Sequence, residues 1–241
     1  MRTNNVVTKI AAGEKPVGFT MRFPSATIVE MMGLVGFDFV MFDSEHGPFT
    51  TSDIEELARA ADAAGLTPMA RVPNIHNSTI LRFLDRGIMG IMGPHINTKE
   101  QAQALADACR YVPNGHRSFG SGRGSHFGQN ASRTGYMKHF NENVVVIAQL
   151  EDVAVLDDLD GILSVEGIDF FTSGAQDIAQ SLGLPGQGEH PKVLEFEKTV
   201  RDAVRAAGRQ MAADVMVGFT LDDMIFEIGV TALEAAKNQA G

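Results

Sequence analysis

The sequence predicts an α/β fold, a (β/α)8 TIM barrel, and three observations predict it. Short β-rich runs alternate with helical ones along the 241 residues. The joints repeat one punctuation, helix–Gly–X–strand, as in "GLVGFDFV", "AGLTPMARV", "RGIMGIM" and "EGIDFF". No Ser/Pro-rich linker, long charge block or strong repeat divides the chain, so residues 1–241 read as one domain. Eight strand candidates and about as many helices in this length fit a barrel better than an open sheet.

Each element has a local reason. "VGFT" (17–20) opens the series, and "SATIVEMMGLVG" follows a Ser with apolar residues at helical spacing. "FDFVMFD" (37–43) is an apolar strand, and "TSDIEELARAADAAG" after it starts at Thr and stops at Gly. "TPMARV" (67–72) leads to "NSTILRFLDRG", and "IMGIMG" (88–93) leads to "TKEQAQALADACRYV". The long stretch 111–142 reads as an elaborated βα loop after the fourth strand. "NVVVIAQLE" (143–151) and "IDFFTSG" (168–174) flank "DVAVLDDLDGILSVEG". "RQMAAD" (209–214) follows the helical "HPKVLEFEKTVRDAVRAAG", and "VTALEA" (230–235) follows "TLDDMIFEIG" as an eighth strand. The chain stops soon after, at "AAKNQAG", so the last helix reads as short or truncated.

Composition narrows the function. A hydrophobic content of 44% supports a full core, and a formal charge of −10 argues against nucleic acid or anionic membrane as the main partner. The single cysteine, Cys109, excludes a disulfide framework within the chain. The N-terminal residues lack an apolar signal segment, and no stretch approaches the roughly 18 apolar residues of a membrane span. The expectation is a soluble cytoplasmic protein.

A barrel carries its chemistry at the C-terminal ends of its strands. The second strand ends in "DSEHG", with Asp43, Glu45 and His46; the third ends in Arg71; the fifth ends in Gln149 and Glu151; "SGAQD" after the sixth ends in Asp177. Singly, Glu151 and Asp177 read as helix caps, Arg71 as a structural ion pair and His46 as a satisfied polar residue. Four such groups on one rim are harder to explain separately. Two carboxylates from neighbouring strands make a hard oxygen site suited to Mg2+ or Mn2+. A 2-oxoacid such as pyruvate chelates such a cation, which stabilises the enolate formed when a C–C bond breaks. Arg71 supplies fixed positive charge to an oxyanion, and His46, with Asp43 to orient its ring, is the acid–base candidate.

These motifs, together with "GIMGIMGPHINTKEQAQALADACRYVPNGHRSFG" and "TSGAQDIAQSLG", resemble the metal-dependent (class II) pyruvate aldolases of the HpcH/HpaI aldolase/citrate lyase family, from about Gly18 to Gly229. The resemblance implies a barrel of the phosphoenolpyruvate/pyruvate-domain type and a divalent cation (Mg2+, Mn2+ or Co2+). It implies reversible cleavage of 4-hydroxy-2-oxoacids to pyruvate, or a close 2-oxoacid, and an aldehyde, in aromatic or sugar-acid catabolism. It also implies a homo-hexamer, a trimer of dimers with the last helix exchanged between partners. Carried over by motif, His46 is the base with Asp43 as its partner, and Arg71 stabilises the transition state. Glu151 and Asp177 bind the metal, Gln149 contacts substrate, and Gly174 and Gln176 offer backbone contacts to the substrate carboxylate. Where such aldolases often carry Gly-Pro-Ala-Asp or Gly-Pro-Asn-Asp, this chain has Gly174-Ala175-Gln176-Asp177. His95 is expected in a loop hydrogen bond, with the aldehyde part of the substrate as its other candidate partner.

Other signals are weaker. "FGSGRGS" (119–125) lacks the dinucleotide spacing and reads as a flexible loop, whose Arg123, with Arg117, is expected near an acidic substrate tail. The seven lysines fall in helical or loop segments, against a Schiff-base aldolase. The alternatives are an acyl-CoA lyase of the citrate lyase β-subunit kind and a non-catalytic binding barrel.

Overall fold

The computed structural model describes residues 3–239. After helix α1 (Asn5–Ala11), strands and helices alternate: β1 (Val17–Met21), α2 (Ala26–Val35), β2 (Phe39–Asp43), α3 (Thr51–Ala63), β3 (Thr67–Arg71), α4 (Asn77–Asp85), β4 (Gly90–Gly93) and α5 (Lys99–Cys109). A 3-10 turn (Arg123–Gly128) and α6 (Arg133–Asn143) lead to β5 (Val145–Gln149), then a second 3-10 turn (Val153–Asp157), α7 (Leu159–Leu163), β6 (Phe170–Thr172), α8 (Ala175–Ser181) and α9 (Pro191–Ala206). α10 (Ala212–Val215), β7 (Val217–Thr220) and α11 (Leu221–Gln239) complete the described chain.

All strand pairs are parallel, in the order β6-β5-β4-β3-β2-β1-β7. Helix starts follow side-chain chemistry: Thr50 with Asp53, and Thr98 with Gln101, close reciprocal capping boxes on α3 and α5. Strand periodicity splits the core in two. Val40 and Phe42 of β2 pack outward in the larger cluster with the helices, while Phe39 and Met41 face inward with Met69, Val145, Ile147 and Phe170. α1 covers the end of the sheet where strands begin, adding Val6 to the inner cluster. Its cap, the fully buried Asn4, donates from Nδ2 to the Met89 and Asn143 carbonyls and accepts at Oδ1 from the Val6 N–H.

The C-terminal third departs from expectation. Within 209–214 only Met211 pairs, in one isolated bridge to Phe171, and Ala212–Val215 is helical. The last strand is β7, which pairs residue for residue with β1 through identical tetrapeptides: Val17 with Val217, Gly18 with Gly218, Phe19 with Phe219, Thr20 with Thr220. Residues 230–235, expected as the eighth strand, lie inside α11, which runs 19 residues and is not short. Among the described residues the fold is therefore α/β, with seven parallel strands in one curled sheet.

The segment 111–142 is also placed differently. It joins α5 to β5 and so returns at the end of the sheet where strands begin, instead of following a strand as a βα loop. Arg117 is buried there, paired with Asp85 at 2.9 Å and stacked on the Tyr111 and Phe140 rings. Arg123 pairs with Asp62 beside Gly65, Leu66 and Met89. Among the described residues neither arginine meets a strand's C-terminal end. Cys109 is buried and free.

Replacing Asn4 with Ala leaves two buried carbonyls and an amide without partners, and should lower the unfolding free energy by roughly 1–3 kcal/mol. Denaturant titration checks this; a midpoint equal to that of the native chain would contradict the plugging role.

Candidate active site

Strand parity delivers the polar rim. Asp43 continues the inward series Phe39, Met41; Arg71 continues from Met69; Gln149 continues from Val145 and Ile147. The β2–β3 register sets Asp43 directly opposite Arg71. Their side chains form a bidentate pair, Arg71 Nε to Asp43 Oδ1 at 2.9 Å and Arg71 Nη2 to Oδ2 at 2.6 Å. Burial pushes the Asp43 carboxyl up, but the hydrogen bonds and charge of Arg71 outweigh it and hold it below the usual carboxylate range. Burial works against the Arg71 cation, and Asp43, Glu45 and Glu151 together more than restore it.

Asp43 therefore holds Arg71 and not the imidazole of His46, the ring it was expected from sequence to orient; beside Arg71 Nε, its Oδ1 accepts the backbone N–H of His46, at 3.3 Å. The His46 ring stands more than half exposed at the rim, its Nε2 3.8 Å from Glu45 Oε2. Glu45 was not assigned a role from sequence, yet it touches three groups: His46, Arg71 Nε at 3.3 Å and His95 Nε2 at 3.2 Å. His95 was expected in a loop hydrogen bond. It does hold one, donating its backbone N–H to Glu151 Oε1 at 3.0 Å, with ring Nδ1 at 3.1 Å from the same oxygen. Its φ of 54° is a left-handed conformation uncommon outside glycine. Arg22, just beyond β1, adds a second cation 3.9 Å from Asp43.

Glu151 is fully buried two residues past β5. Burial raises its pKa, the His95 amide and ring oppose that, and the charges of Asp177 and Glu45 add to it. Gln149 Nε2 donates to Glu151 Oε2, while Gln149 Oε1 is buried without a hydrogen-bond partner among the described residues. Asp177 lies in the first turn of α8, behind Gly174 at the cap. A Cβ on Gly174 would stand 2.7 Å from Glu151 Oε2, 3.1 Å from Gln149 Nε2 and 3.6 Å from Asp177 Oδ2. The glycine keeps open the space where both carboxylates converge. The Gln176 side chain is exposed and turns toward Gly188.

This donor set fits a hard divalent cation. No three His, Cys, Asp or Glu side chains group as a metal cage among the described residues. Two carboxylates and an uncommitted amide oxygen suit an ion that keeps most positions for water and substrate. No helix among the described residues is long and apolar enough to cross a membrane.

Comparison with known proteins gives the same direction. The family described as HpcH/HpaI aldolase/citrate lyase matches residues 21–235. The hydroxypyruvate/pyruvate aldolase of Roseobacter denitrificans is 34% identical over 225 residues, covering 91% of this chain and 87% of that protein. The 4-hydroxy-2-oxovalerate aldolase of Rhodococcus jostii is 32% identical over 210 residues, covering 86% and 79%. The crystal structure of an HpcH/HpaI aldolase/citrate lyase family protein from Burkholderia cenocepacia superimposes with a TM-score of 0.87 at 27% identity, covering 98% of this chain and all of that one.

The Asp43–Arg71 pair should carry much of the rim's stability. Asp43→Ala removes the bidentate partner of a largely buried guanidinium, leaving Glu45 as its remaining contact, and should cost about 3 kcal/mol at neutral pH. Because the folded pKa is depressed, the contribution is present above the unfolded value of 3.8 and is lost as pH falls through the lower folded value. Unfolding free energies of both proteins measured across that range should converge in acid; a constant gap would contradict the ion-pair account.

Proposed function

Because the chain belongs to the HpcH/HpaI aldolase/citrate lyase family, we propose that it is a lyase cleaving 4-hydroxy-2-oxoacids reversibly to pyruvate, or a close 2-oxoacid, and an aldehyde. The observation that carries this reading is the convergence of Glu151 and Asp177 around the bare face of Gly174, beside Gln149 and within the charge field of Arg71. Aldolases of the family depend in general on a divalent metal. Glu151 and Asp177 would hold it here, as Mg2+, Mn2+ or Co2+. Bound there, the cation supplies Lewis-acid stabilisation to negative charge on the substrate's oxygens.

The chain's own residues do the rest. The first-turn amides of α8, behind Gly174 and including Gln176, have no intrahelical acceptor and receive the 2-oxoacid carboxylate. Gln149 orients the 2-oxo group. Arg71, fixed by Asp43, holds positive charge at the inner face, where the enolate oxyanion develops. His46, exposed at the rim, removes the proton of the 4-hydroxyl as the C3–C4 bond breaks and the aldehyde leaves, and returns it in condensation. Asp43 acts through Arg71, as a positioning residue.

Met211, bridged to Phe171, marks where a further strand of a closed (β/α)8 barrel would stand beside β6. α11 exposes Ile225, Phe226, Ile228, Val230 and Leu233, which supports a homo-oligomer, with the hexamer as the proposed form.

Pyruvate release from a panel of 4-hydroxy-2-oxoacids, with and without EDTA, tests the reading. Release should require the cation, vanish in Glu151→Ala and Asp177→Ala, and fall roughly 10²–10⁴-fold in His46→Ala. Full activity of either carboxylate variant in metal-stripped buffer would overturn the metal assignment. Elution of the native protein as a 25.9 kDa monomer would remove the assembly.

A further inference from the structure

Outside the groups assigned to chemistry, one arrangement at the rim joins parts that the reaction needs held together. Arg71 Nε lies 3.3 Å from Glu45 Oε2, Glu45 Oε1 lies 3.2 Å from His95 Nε2, and His95 meets Glu151 Oε1 through both ring and backbone. Four side chains from the ends of β2, β3, β4 and β5 thus form one unbroken chain of contacts. Its two ends are the cation meant for the oxyanion and a carboxylate meant for the metal.

The contacts sort the two oxygens of Glu151. Oε1 is held by His95, from its amide at 3.0 Å and its Nδ1 at 3.1 Å, while Oε2, which accepts from Gln149 Nε2, is the oxygen at the open face of Gly174 that Asp177 also borders. His95 sits in the left-handed region at φ 54°; φ sets the angle between its N–H and its Cα–Cβ bond, and here amide and ring meet the same oxygen. Non-glycine residues hold this conformation only where the surroundings fix it, and such strain gathers at functional sites. Glu45 Oε1, 3.2 Å from the far ring nitrogen, is the contact placed to supply that fixation.

We propose that His95, braced by Glu45, is a positioning residue that fixes Glu151 so that Oε2 is presented to the divalent cation. This inference rests on the metal-dependent reading above and adds to it the pair that sets the ligand's orientation. Partners of this kind hold a ligand's rotamer and typically contribute 10- to 100-fold to metal affinity.

The test is Mn2+ binding by the substrate-free full chain, followed by titration calorimetry, with thermal unfolding recorded on the same samples. His95→Gly is the informative variant, because glycine adopts φ 54° without strain and keeps the backbone N–H while removing the ring. It should bind Mn2+ roughly 10- to 100-fold more weakly than the native chain at an unchanged unfolding temperature. Glu45→Gln, which keeps the shape of the brace but not its charge, should fall between the two. His95→Asn, tolerant of the left-handed region and still a side-chain donor, should recover part of the loss. Mn2+ affinity of His95→Gly within twofold of the native value would overturn the positioning role while leaving the metal site intact. Failure of the native chain to bind Mn2+ would instead overturn the metal-dependent reading, and this inference with it.

Discussion

The bidentate pair between Asp43 and Arg71 is the constraint on which the rim depends. Parallel register sets the two residues opposite one another, and strand parity turns both toward the inner face. A guanidinium in that place gathers carboxylates: Asp43 in direct contact, Glu45 at 3.3 Å and Glu151 through its field. With Asp177 nearby, four carboxylates face Arg71 and the more distant Arg22. The excess of negative charge lies on the Glu151–Asp177 side, where a cation would balance it. One pair thus sets the fixed positive charge of the rim and leaves the uncompensated carboxylates on the side away from it.

Much of this was legible in the sequence. The strands ending in "DSEHG", Arg71 and "AQLE" lie where alternation placed them, because an inward polar residue after a run of inward apolar ones is visible as period-two pattern. The rim residues His46, Arg71, Gln149 and Glu151 lie at C-terminal strand ends or the turns that follow, and Asp177 lies in the first turn of the helix after β6. The C-terminal third was less legible. Val230 and Thr231 look β-forming, but Ala-Leu-Glu-Ala-Ala-Lys after them are strong helix formers, and the helix continues through Gly229. The last strand among the described residues does carry a sequence signal: residues 217–220 repeat residues 17–20 letter for letter, and the two segments pair in register.

Side-chain partners were not legible, since short spacing along a strand says little about which group a carboxylate meets across it. Asp43 stands three residues before His46, but its neighbour across the sheet is Arg71, and a buried guanidinium outcompetes an exposed ring. Glu45 and His95 gain their importance from loops of different strands meeting above the sheet, a contact no local pattern encodes. The stretch 111–142 departs from expectation for a related reason. Its glycines and arginines resemble an active-site loop, yet Arg117 and Arg123 are spent on Asp85 and Asp62 where the strands begin.

The central claim is that strand ends assemble a cation site that stabilises a pyruvate enolate beside Arg71. Exchange of the pyruvate methyl protons with D2O, followed by proton NMR without any aldehyde, tests it most directly, because exchange reports enolate formation apart from C–C bond chemistry. The account predicts exchange in the presence of Mn2+ or Mg2+, its loss on chelation and its loss in Arg71→Ala. Exchange that proceeds equally after the cation is removed, or no exchange in an enzyme that cleaves 4-hydroxy-2-oxoacids, would contradict it.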